Sequence, residues 1–152
     1  MGRFDSRAAI VTGGALGIGK GCARQIAASG GSVLIVDVNE VAGSMTVEEI
    51  RSSGGTAEFM HGNVAEESIA KSMVEKATSS FGRLDILVQN AYAGADNSGS
   101  AVEVQSENWH AGMDLLVGAL YFGAKYAVPA MEISGPDPRF IQPEWAGAGR
   151  RQ

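Results

Sequence analysis

Eight residues near the N-terminus, Thr12-Gly13-Gly14-Ala15-Leu16-Gly17-Ile18-Gly19, constrain this chain more than any other stretch. They separate a short apolar run, Ala8 to Thr12, from a helix-forming segment, Lys20 to Ser29, which Gly30-Gly31 stops. A turn from strand to helix needs backbone that tolerates positive φ and close approach of neighbours, and glycine supplies both. The helix behind the turn presents unpaired N–H groups and the positive end of its dipole, which together favour an anion. A glycine cluster alone fits a purely structural turn equally well. Asp37 argues for more: it stands 18 residues past Gly19, at the end of a second apolar run, Val33 to Val36. An acid there is placed to accept hydrogen bonds from a ribose while the loop holds a pyrophosphate. Gly13, Gly14, Leu16, Gly17, Ile18, Gly19 and Asp37 are therefore candidate dinucleotide-binding residues.

The rest of the chain repeats the alternation. Residues 40–52 read as a helix carrying Val41, Met45 and Ile50, followed by a short strand at 57–60. Residues 66–80 read as an amphipathic helix (Ile69, Met73, Val74, Ala77), and 84–88 as a fourth strand. Strands apolar throughout, alternating with amphipathic helices, predict a parallel sheet covered on both faces. The expected class is α/β, a Rossmann-like doubly wound parallel sheet. Residues 91–104 read as a surface loop. Residues 105–131 form one long helix in which Met113, Leu116, Val117, Leu120, Phe122, Tyr126 and Val128 make an apolar face and Pro129 fits termination. Proline is absent before Pro129, and Pro136, Pro138 and Pro143 then crowd the end. We expect a nucleotide-binding domain at 1–134 and an irregular Pro-, Gly- and Arg-containing tail at 135–152, too proline-rich for a regular strand. The fourth strand would then leave an open edge with Asp85 as its only charge.

Composition narrows the function classes. Of 152 residues 45% are apolar and 19% charged, which gives an ordinary globular chain rather than a disordered one. Twelve basic against 17 acidic residues give a net charge of −5, which disfavours a general nucleic-acid surface. No apolar run is long enough to cross a membrane. The start, Met1-Gly2-Arg3-Phe4-Asp5, lacks the apolar core of a signal peptide, so a cytoplasmic location is expected. Cys22 is the single cysteine and lies on an apolar helix face, where a core thiol is expected. His61 and His110 have no ligand-spaced partners, so no metal site is expected.

The spacing T-G-x-x-x-G-x-G resembles that of the short-chain dehydrogenase/reductase family. Three further segments match in order. Gly62-Asn63-Val64 resembles the segment that packs on adenine, with Asn63 where Asp is usual. Leu84-Asp85-Ile86-Leu87-Val88-Gln89-Asn90-Ala91-Tyr92 resembles the family's L-D-x-L-V-N-N-A-G, departing at Gln89 and Tyr92. Residues 109–131 resemble the long helix that follows. The resemblance covers about residues 4–134 and adds Asn63, Val64, Asn90 and Ala91 to the cofactor-binding set. It implies NAD-dependent hydride transfer at an alcohol or ketone. NAD is favoured over NADP, because Leu16 and Val38 stand where NADP-binding members carry a basic residue and Asp37 would repel a 2′-phosphate. A Rossmann methyltransferase fits the loop spacing and Gln89-Asn90-Ala91 less well.

The family's chemistry needs a tyrosine whose pKa is lowered by a nearby lysine, and a serine that orients the substrate oxygen. By the resemblance these follow a later strand and helix, so the chain reads as truncated after the fourth strand and the long helix, with no catalytic residues. Tyr121-Phe122-Gly123-Ala124-Lys125 is a literal Y-x-x-x-K, but it lies on the earlier helix, where a core-facing tyrosine and a solvated lysine are expected. The family's active-site asparagine aligns with Leu116, and Asp114 reads as a surface acid. A catalytically inactive nucleotide-binding module is the alternative. The resemblance also implies that the outer face of helix 105–131 packs in a subunit interface, so self-association through it is expected.

Overall fold

The computed structural model describes residues 2–92 and 102–135, and the backbone of 139–141. Strands β1 (Ala8–Thr12), β2 (Ser32–Asp37), β3 (Thr56–His61) and β4 (Ile86–Gln89) alternate with helices α1 (Gly17–Ala28), α2 (Glu40–Ser52) and α3 (Glu67–Phe81). They form the doubly wound α/β sheet expected from the apolar runs. All pairings are parallel, and a fifth strand, β5 (Arg139–Ile141), completes the order β3-β2-β1-β4-β5.

The pleat sorts the core into two layers. Ile10, Leu34, Val36 and Leu87 face α3 and the long C-terminal helix, together with Met73, Leu84 and Met131. Ala9, Val11, Val33, Ile35 and Val88 face α1 and α2, against Ala23, Ile26, Val47 and Ile50. Alternate residues of a strand buried on opposite faces explain why these strands read as unbroken apolar runs.

Several expectations are corrected. The tail does pair with the sheet: Ile86, Leu87 and Val88 align with Arg139, Phe140 and Ile141, so β4 is not an open edge along that length. A three-residue strand is short enough to fit between the flanking prolines. Asp85 is not an edge charge either. It is 3% exposed, accepts from the Ala8 amide at 2.9 Å, and pairs with Arg7 at 2.7 Å and Arg83 at 2.5 Å. On α2 the buried stripe is Gly43, Thr46, Val47 and Ile50, whereas Val41 and Met45 are exposed. A polar Thr46 in that stripe hid its phase. On α1 the buried face is made by Gly19, Ala23, Ile26 and Ala27, and Ile18 is exposed. Cys22 is partly buried against that core, as expected.

The long helix is continuous but not uniform: α4 (Ser106–Met113), a π-helical turn (Asp114–Gly118), and α5 (Ala119–Ser134). Its buried stripe on α5 is small, Ala119, Gly123, Ala127 and Met131, with Phe122 and Tyr126 partly buried beside it. Met113, Leu116, Val117 and Val128 are exposed. The helix passes through Pro129 and stops at Gly135, whose φ of 147° no helix continues. Buried Ala127 and Met131 hold the helix on either side of the proline, which removes one hydrogen-bond donor. The expected loop at 91–104 lies largely outside the described residues, as do 136–138 and 142–152.

Candidate dinucleotide-binding cleft

β1, β2 and β3 wind in one direction, and α3 carries the chain back to place β4 on the other side of β1. The connections leaving the C-terminal ends of β1 and β4 therefore diverge, and a crevice opens between them. A cleft of about 820 Å³ occupies it. Every candidate residue from the sequence except Gly14 and Gly19 lines the cleft: Gly13, Leu16, Gly17, Ile18, Asp37, Asn63, Val64, Asn90 and Ala91. Gly14 and Gly19 lie beneath it, both buried.

Three glycines of the loop have distinct physical tasks. Gly13 has φ of 63° and lies so close to β4 that a Cβ would sit 2.8 Å from Ala91 Cα. Gly19 packs the helix onto the turn, where a Cβ would stand 2.1 Å from Gly13 O. Gly17 has φ of 56°, yet a Cβ there would meet nothing within 4 Å. Its requirement is thus conformational, and the space beside it is open to a ligand. Leu16, the residue before α1, offers no side-chain cap to the helix N–H groups, which leaves them directed at that space.

Polar contacts hold the loop in shape. Asp37 accepts from Ala15 N and Asn39 N, each at 3.0 Å, one on each carboxylate oxygen. Each oxygen keeps further acceptor capacity. Thr12 Oγ1 accepts from the amides of Asn90 and Ala91, each at 3.1 Å, and Asn90 Nδ2 donates back to Gly13 O at 3.1 Å. Asn63 Oδ1 accepts from Ala65 N at 3.1 Å, fixing the turn that leads into α3.

Sequence reasoning missed two supports. Thr46 is fully buried and donates from Oγ1 to Ala15 O at 2.9 Å. Gln89 Nε2 donates to Leu120 O at 3.2 Å, and its side chain fills the space a Cβ on Gly123 would need. Gly123 within an apolar helix was the available signal for a long partner side chain. A second cavity of about 360 Å³, lined by Gln89, Leu116, Val117 and Leu120, shares Val64, Asn90, Ala91, Tyr92 and Leu115 with the first.

The Y-x-x-x-K residues do not reach this cleft. Tyr121 is 62% exposed on the outer helix face rather than core-facing. Lys125 Nζ is not simply solvated but donates to Glu67 Oε1 at 2.6 Å, which holds the amine protonated above its ordinary range. Tyr126 OH donates to the same oxygen at 2.8 Å, and Glu67 pushes that phenol upward, away from the ionised form. Leu116 is exposed at the second cavity, and Asp114, expected as a surface acid, is exposed and borders the main cleft. Among the described residues no cluster of three metal-ligating side chains exists, and no helix is long and apolar enough to cross a membrane.

Comparison with known proteins places these features in context. A model of the short chain dehydrogenase family matches residues 7–139. An uncharacterized oxidoreductase of Thermotoga maritima is 39% identical over 132 residues, covering 87% of this chain and 51% of the relative. Cyclohexanol dehydrogenase of an Acinetobacter species is 36% identical over 134 residues, covering 88% and 53% respectively. A short chain dehydrogenase/reductase from Burkholderia phymatum, solved in complex with NAD, superimposes with a TM-score of 0.80 at 27% identity, covering 86% of this chain and 46% of that one. The chain spans about half the length of the curated relatives it matches.

Proposed function

The chain belongs to the short-chain dehydrogenase family, and on that premise we propose that the described residues form the NAD-binding portion of an NAD-dependent oxidoreductase acting on an alcohol or ketone. The observation that carries this reading is the open space beside Gly17, bounded by uncapped helix amides on one side and by Asp37 on the other. A pyrophosphate suits the amides, and a ribose diol suits the remaining lone pairs of Asp37. Exposed Leu16, Ile18 and Val38 at the rim gain burial if a base packs on them. Asn63 Nδ2 has no partner among the described residues and is free to donate to that base. When bound, the cofactor supplies hydride transfer at its nicotinamide ring, while these residues hold its adenosine and pyrophosphate.

NAD is preferred over NADP in this reading. No lysine, arginine or histidine lines either cavity, and Asp37 faces the position a 2′-phosphate would take. Calorimetric titration with NADH and NADPH tests it. NADH is expected to bind more tightly, and Asp37→Ala to narrow the difference; equal or stronger binding of NADPH overturns the reading.

The alternative of a nucleotide-binding module without turnover is favoured by one observation: Lys125 is committed to Glu67 and lines neither cavity. Self-association is proposed through helix 105–131, where Trp109, Met113, Val117 and Tyr121 are exposed at four-residue spacing. A concentration-independent monomer in light scattering would refute it.

A further inference from the structure

The charges around the cleft are one-sided. Its charged lining groups are Asp37 and Asp114, and neither cavity is lined by a basic side chain. The described cations are engaged elsewhere or lie outside the lining: Lys20 on Glu49, Lys76 on Glu58, Lys125 on Glu67, Arg7 and Arg83 on Asp85. The Asp114 carboxylate has no hydrogen-bond or ion-pair partner among the described residues.

Tyr92 adds a second, independent feature. It follows Asn90-Ala91 at the C-terminal end of β4 and borders both cavities, so it stands at their junction. The side chain is 73% exposed, and its hydroxyl has no partner among the described residues. A large ring left open in a cleft presents a flat π face, and such a face attracts a planar cation. Tyr92 stands where the motif the sequence resembles has glycine.

We propose that Tyr92, with Asp114, makes the cleft selective for the oxidised dinucleotide over the reduced one. The inference rests on the reading that the cleft takes a dinucleotide with its pyrophosphate at the glycine loop. The far end of the ligand then lies toward the junction of the two cavities. Oxidised nicotinamide is a pyridinium carrying a positive charge; reduced nicotinamide is neutral and otherwise almost the same shape. Only the oxidised ring gains from the π face and from the carboxylate of Asp114. ADP-ribose, which lacks the ring, gains from neither.

The test is calorimetric titration of the full chain with NAD+, NADH and ADP-ribose, at low and at moderate salt. The wild type is expected to bind NAD+ about threefold more tightly than NADH, the size of an exposed cation–π contact. Tyr92→Gly is expected to reduce that ratio toward the share left by Asp114 and leave ADP-ribose affinity unchanged, while Tyr92→Phe retains it. Asp114→Asn is expected to shrink the ratio and remove its salt dependence. ADP-ribose binding with equal affinities for NAD+ and NADH, or a ratio untouched by Tyr92→Gly, overturns the role of Tyr92 alone. Failure of ADP-ribose to bind the wild type overturns the dinucleotide reading itself, and the proposal with it.

Discussion

Thr46 Oγ1 donates a buried hydrogen bond of 2.9 Å to Ala15 O, tying the middle of α2 to the glycine loop 31 residues earlier. The neighbouring Ala15 amide donates to Asp37 Oδ2 at 3.0 Å. One peptide unit of the loop and the next are thus held by α2 and by the end of β2, so the loop's shape is fixed by the fold itself.

Replacing Thr46 by Val keeps its volume but leaves Ala15 O without that donor. We expect a loss of about 1–3 kcal/mol in stability, the penalty for an unsatisfied buried acceptor. NADH affinity should fall as well, because the Asp37 contact loses its anchor. Urea unfolding and calorimetry on the same variant check both effects.

Gly19 and Gly21 lie two residues apart on α1 and should respond oppositely to alanine. A Cβ at Gly19 would stand 2.1 Å from Gly13 O and 2.5 Å from Asn90 Nδ2, so the helix must move off the turn. Gly19→Ala is expected to destabilise by about 1–3 kcal/mol and to abolish dinucleotide binding. A Cβ at Gly21 meets nothing within 4 Å, and alanine is the better helix former. Gly21→Ala is expected to raise stability by about 0.5–1 kcal/mol with binding intact. Thermal melts with and without NADH separate the two.

Asp85 is expected to contribute to the acid sensitivity of the fold. Burial alone would push its pKa up, but Arg83, the Ala8 amide and Arg7 outweigh burial and hold it below the ordinary 3.8. A folded-state pKa below the unfolded value means stability fully present above about 3.8 and lost as pH falls through the folded value. Asp85→Asn should lower stability by about 2 kcal/mol near neutral pH, since Arg7 and Arg83 can still reach water. It should also flatten the stability profile below pH 4. A mutant profile parallel to the wild type would show that other carboxylates govern acid unfolding.

Tyr121 and Lys125 give a clean test of turnover. The purified chain is expected to yield no NADH from a panel of secondary alcohols supplied with NAD+. Should activity be found, Tyr121→Phe is expected to leave it unchanged, because Tyr121 lies outside both cavities. Activity that vanished with that hydroxyl would identify the pair as catalytic.

The sequence by itself determined the winding of the sheet and the address of the cleft. Unbroken apolar runs at β1, β2 and β4 mean strands buried on both faces, and Gly13–Gly19 with Asp37 are neighbours along a single β-α-β unit. Such signals are local, so they survive without knowledge of the partners. The buried stripe of α2 was not legible, because Thr46 is polar and its hydroxyl is satisfied only by a carbonyl from the glycine loop. The stripe of α5 was hidden for the opposite reason. Three of its four buried residues, Ala119, Gly123 and Ala127, are small, while Tyr121, Val128 and Ile133 are exposed. β5 was missed because three residues between prolines carry no periodicity, and only the waiting edge of β4 makes them a strand. The paired burial of Asp85 and the placement of Tyr92 between two cavities likewise depend on residues distant in the chain. Tertiary structure decided these, because a side chain's role is fixed by the partner that satisfies or covers it, and that partner comes from elsewhere in the fold.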